Sequence, residues 1–175
     1  MQQFGGNWTE KKLSCLGKYL RAYSTIMNKQ QFRFAYIDAF AGTGYRELKT
    51  EEESSSLLFP ELAEAEPQTF LDGSAKIALD TIPRFNKYIF IEQNSEKCAK
   101  LTELAESYPE LSSDIQIIQT NANAYILDLC LKNNWKKHRA VMFLDPFGMQ
   151  VEWTTIKAIA DTRAIDLWIL FPLGI

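Results

Sequence analysis

The sequence contains one histidine and three cysteines in 175 residues, and no CxxC pair among them. Cys15, Cys98 and Cys130 lie far apart, and only His138 could join them around a metal. Neither a zinc site nor a disulfide framework is expected from that inventory. A basic excess is also lacking: 19 Lys and Arg stand against 22 Asp and Glu, a formal charge of -3. Strong autonomous nucleic-acid binding, which rests on neutralising phosphates, is therefore not expected, although a local patch stays compatible with the composition. No apolar run approaches the length of a membrane span, and the start shows no charged segment followed by an apolar one. These absences give the expectation of a soluble, cytoplasmic protein without a membrane partner.

A hydrophobic content of 46% is enough for one sizeable core, so residues 1–175 are read as a single domain. Leu13, Leu16, Leu20, Tyr23 and Met27 recur at helical spacing and predict an opening helix over Trp8–Met27. Phe32–Phe40 is aromatic and β-branched and stops at Gly42 and Gly44, which reads as a buried strand entering a tight turn. Residues 45–72 carry eight acids and two bases and are read as an acidic insertion. Beyond them helices are expected at Ser74–Ile82, Ser95–Ser107, Ala124–Asn133 and Thr154–Asp161. They alternate with strands at Tyr88–Glu92, Ile115–Gln119, Ala140–Leu144 and Ile165–Phe171. Alternation of this kind predicts an α/β fold, a doubly wound, Rossmann-like and mostly parallel sheet with helices on both faces.

In such sheets ligands bind beyond the carboxyl ends of the strands, so the residues found there are the candidates for chemistry. The first strand ends in Asp38 to Gly44, with Ala41, Gly42, Thr43 and Gly44 forming a turn that lets a ligand approach bare backbone. The second ends in Glu92, which could accept hydrogen bonds from ribose hydroxyls or cap the next helix. At the end of the third, Asn121 and Ala122 could flank an adenine, or Asn121 could serve as an N-cap. Strand four runs into Asp145-Pro146, where proline holds Asp145 extended beyond the strand, as a plain turn would also require. Each signal is weak alone; four successive strand ends together suit a nucleoside-containing cofactor.

At these residues the chain resembles a family. The run Tyr36 to Gly44, the acid Glu92 after Phe90-Ile91, and Leu144 to Gly148 resemble motifs of class I S-adenosylmethionine-dependent methyltransferases. Trp8-Thr9 with Lys12-Leu13, Asp72-Gly73-Ser74, Asp145 to Gly148 with Trp153, and Asp166 with Phe171-Pro172 narrow the likeness. They resemble the three-Cys-motif partner proteins, bacterial proteins with a methyltransferase-like fold. The resemblance implies S-adenosylmethionine as cofactor, with its methionine part held at Ala41 to Gly44 and its ribose on Glu92. It also implies adenine between Asn121 and Ala122, Asp38 orienting the glycine loop or the cofactor amine, and Asp145 facing an unidentified methyl acceptor.

Asn121 stands where the family has Asp, and Phe147-Gly148 replace the proline and aromatic typical of amino-group methyltransferases. Methylation of a base amine is accordingly not expected. The insertion is expected to loop out as a flap over the cleft and return the chain to Gly73-Ser74. The family's sheet has two further strands, so the edge of strand 165–171 is expected to be covered by more chain, a partner protein or a second copy. A catalytically inactive module acting through protein contacts is the main rival reading. An NAD-dependent oxidoreductase fits less well, because Glu47 occupies the place of the third glycine. Lys132, Lys136, Lys137, His138 and Arg139 are read as a solvated helix end, and Trp135 and Trp153 as packing residues.

Overall fold

A computed structural model describes residues 6–39, 73–146 and 150–170, with side chains from Lys11 onward. Ala41 to Gly44, the insertion 45–72, Phe147, Gly148 and the end of the predicted fifth strand lie outside the described residues.

Helix α1 spans Gly6–Met27, and its periodic apolar residues turn inward, Leu16 and Leu20 being fully buried. Strand β1, Arg33–Ala39, follows, and residues 73–79 form α2. Strand β2 is Lys87–Glu92, α3 Ser95–Glu106, β3 Ile115–Gln119 and α4 Ala122–Lys132. Strand β4 is His138–Leu144, α5 Trp153–Thr162 and β5 Ile165–Ile169. All five strands are parallel, in the order β3-β2-β1-β4-β5. The chain is thus an α/β protein with a Rossmann-like sheet between helices.

Alternation along the strands divides the core in two. Phe34, Tyr36, Tyr88, Phe90, Val141 and Phe143 face α1, α2 and α3. Ile37, Ala39, Ile89, Ile91, Ala140, Met142 and Leu144 face α4 and α5. The first face is aromatic: Phe85 lies within 5.3 to 6.2 Å of the rings of Tyr23, Phe34, Tyr36 and Tyr88 in edge-on and stacked contacts. α2 approaches α1 so closely that a Cβ on Gly73 would lie 2.7 Å from Leu13 Cδ1, so a side chain there would force Leu13 to move.

Element boundaries depart from expectation where side chains intervene. The helix predicted to reach Ile82 ends at residue 79, because Pro83 disfavours helical geometry at Ile82. α4 begins two residues early, since Asn121 rather than Asn123 caps it. β4 begins at His138, which pairs in register with Arg33. No described helix is long and apolar enough to cross a membrane.

Candidate functional site

The first three strands step outward from β1 to β3, and the chain then returns to place β4 on the other side of β1. The strand order reverses between β1 and β4, and a crevice forms at the carboxyl ends of such a pair. Three predicted residues meet there. Asp38 stands in register with Phe90 and Phe143; Glu92 ends β2, and Asp145 follows the last residue of β4. The two-residue period puts them on the face of Tyr36, Phe90 and Phe143, opposite α4 and α5.

Asp38 is buried, and its Oδ2 accepts from both Tyr36 Oη at 2.9 Å and Ser74 Oγ at 2.8 Å. Burial pushes its pKa up to about 7; the two hydroxyls oppose the rise, and the charges of Asp145 and Glu92 add to it. Tyr36 and Ser74 thus position the carboxyl. Tyr36 could be found from sequence by its i, i+2 spacing to Asp38, whereas Ser74 comes from beyond the insertion and gave no such signal.

Glu92 is only 1% exposed. Its Oε1 accepts from the Asn94 N–H at 2.7 Å, while Oε2 is buried without a hydrogen-bond partner among the described residues. Burial raises its pKa, against the Asn94 N–H and the Lys97 charge. The cap of α3 is Asn94, whose side chain accepts from Lys97 N at 3.1 Å, so capping does not account for the second oxygen of Glu92.

Asp145 is half-buried, with its N–H donating to Ala39 O at 3.3 Å. Burial lifts its pKa to about 6, with the charges of Lys12 and Lys97 pulling the other way.

At the end of β3, Asn121 is the N-cap of α4, its Oδ1 accepting from Ala124 N at 3.1 Å, and the buried Ala122 opens the helix. The capping alternative for Asn121 is therefore the arrangement present. Asn123, given no role from sequence, is a tie: Nδ2 donates to Gln150 O at 2.9 Å, and Oδ1 accepts from Glu152 N at 3.0 Å and Thr155 Oγ1 at 2.8 Å. It thereby holds the segment that follows the Asp145 motif to α4.

Two expectations are corrected. Trp153 does not pack: it is 78% exposed, because α5 turns Thr155 and Ile159 inward and Trp153 lies on the other side of the helix. His138 and Arg139 are not a helix end; they open β4, and α4 stops at Lys132. Among the described residues no group of three His, Cys, Asp or Glu side chains could hold a metal. In comparisons with protein-family models, curated proteins and solved structures, the chain matches none.

Proposed function

We propose that this chain is a methyltransferase-like protein that binds S-adenosylmethionine and transfers its methyl group to an acceptor. The observation that carries the reading is Oε2 of Glu92, buried with no hydrogen-bond partner among the described residues. A carboxylate oxygen buried without a donor costs on the order of 1–3 kcal/mol or more. A ribose hydroxyl at the end of β2, beside the point where the strand order reverses, would supply the missing donor. The residues present suit such a group. Glu92 would bind ribose, and Ala122 would lie against adenine at the start of α4. Asp38 and Asp145 would surround the cationic part with carboxylates. Adenine would find Asn121 Oδ1 already accepting from Ala124 N, so base selection would fall more to backbone and shape than to that amide.

When bound, the sulfonium supplies an activated methyl group. The chain's own task is position and exclusion of water. Asp145, at the mouth of the crevice, would accept a hydrogen bond from the methyl acceptor and, with its raised pKa, could also take a proton near neutrality.

Isothermal titration of S-adenosylmethionine and S-adenosylhomocysteine into the protein and into Glu92→Ala tests this. Micromolar binding, weakened roughly tenfold to a hundredfold by the substitution, is expected. Absence of binding to the parent protein would remove the cofactor reading, and equal binding by NADH would redirect it. Cofactor binding without turnover on any acceptor would favour the inactive partner module.

A further inference from the structure

A second concave surface lies at the opposite end of the sheet. Six residue steps separate Arg33 from Ala39, so the two ends of β1 are about 20 Å apart. The groove runs between the amino-terminal halves of β1, β2 and β3 and the helix α4, and encloses about 390 Å³. That volume is within the range of small-molecule sites, ~300–1,000 Å³.

Its floor is apolar, made by Ala35, Ile37 and Ile89, with Tyr125 of α4 on the wall. Burial, together with the Asp128 charge, raises the Tyr125 pKa, so its hydroxyl keeps its proton. The mouth is basic, with Arg33, Lys87, His138 and Arg139, and none of the lining residues is an acid. In a chain of net charge -3 an acid-free basic groove is a local concentration of one sign.

Arg139 and His138 are engaged within the protein. Arg139 Nη1 donates to the carbonyls of Trp135 at 2.6 Å and His138 at 2.7 Å, and its guanidinium lies 3.9 Å from the Phe32 ring centre. His138 Nδ1 is 2.9 Å from Asn134 O. Arg33 and Lys87 form no ion pair among the described residues, unlike Lys76 with Asp80, Arg84 with Asp114 and Lys132 with Asp128. In register, Lys87 stands beside Ala35 and Arg33 beside His138, so both cations flank the same apolar floor.

We propose that this groove is a binding site for a small phosphate monoester with an aromatic ring. Arg33 and Lys87 hold the phosphate, and the ring lies on Ile37 and Ile89 against Tyr125. Arginine matches phosphate with a fork of N–H donors and lysine adds a point charge, whereas a neutral ring would use the floor alone. The site is separate from the crevice at Glu92 and does not depend on what that crevice binds.

Isothermal titration with phenyl phosphate tests the assignment, using the parent chain, the Arg33→Gln/Lys87→Gln double variant and Glu92→Gln. Submillimolar binding to the parent and to Glu92→Gln is expected, weakened roughly tenfold or more in the double variant. Phenol and inorganic phosphate should each bind more weakly than phenyl phosphate, and saturating S-adenosylhomocysteine should not displace it. Arg33 is exposed and Lys87 half-buried, so circular dichroism of the double variant should match the parent. No binding at millimolar ligand, equal binding by the double variant, displacement by S-adenosylhomocysteine, or equal affinity for inorganic phosphate would overturn the proposal.

Discussion

Asp38 combines burial with two hydroxyl donors on one oxygen, and this gives it a pH signature. In the unfolded chain the carboxyl loses its proton near its ordinary value of 3.8, and in the folded chain it keeps it up to about 7. Between these values the native state binds more protons than the unfolded one, so stability falls as pH rises through the window and is flat outside it. The contribution is about 4 kcal/mol at most. In Asp38→Asn the amide oxygen can accept from both Tyr36 and Ser74 without ionising. The variant is expected to gain stability relative to the parent between about pH 4 and about pH 8, as read by urea denaturation at the two values. A constant difference between parent and variant would show that Asp38 does not titrate in that window. Asp38, Glu92 and Asp145 were all legible in the sequence as polar residues ending apolar strands. The convergence of Tyr36 and Ser74 on one oxygen was not, because Ser74 reaches Asp38 only through the packing of α2 at Gly73 against Leu13.

At the scale of elements, α4 and α5 are joined by polar atoms rather than by apolar contact alone. Asn123 and Thr155 are buried on facing helices, and the Asn123 amide also holds the backbone at Gln150 and Glu152. Asn123→Ala would remove the acceptor of the buried Thr155 hydroxyl and of the Glu152 N–H, a loss of about 2 kcal/mol readable by denaturant titration. Asn123→Asp keeps the two bonds accepted by Oδ1 and is expected to cost less. The helices themselves were readable from periodicity, as Leu16 and Leu20 of α1 show. Periodicity could not tell which face of α5 is inward, because the side it buries carries a threonine. Thr155 is buried because Asn123 satisfies it, and Trp153 is exposed as the consequence. Similarly, the sequence left Asn121 open between an adenine contact and a helix cap, and in the fold its side chain caps α4.

For the whole molecule, alternating strand and helix patterns predicted a parallel doubly wound sheet, and the order β3-β2-β1-β4-β5 realises it. The groove at the other end of the sheet escaped sequence reading because Arg33, Lys87 and His138 are far apart along the chain and meet only through strand register. That same register has a kinetic consequence. β1 is completed by β4, whose first residue His138 pairs with Arg33 across nearly the entire intervening sequence. Loop closure over such a span must occur before the central pairing repays it, so folding is expected to be slow, on the order of milliseconds to seconds. Val141→Ala, a truncation on the aromatic face of β4, should report when that closure happens: in stopped-flow refolding, a slower folding arm places β4 in the rate-limiting ensemble, whereas a change confined to unfolding places its docking after the barrier. The central strand, which brings two surfaces to its two ends, would then be among the last parts of the molecule to gain both neighbours.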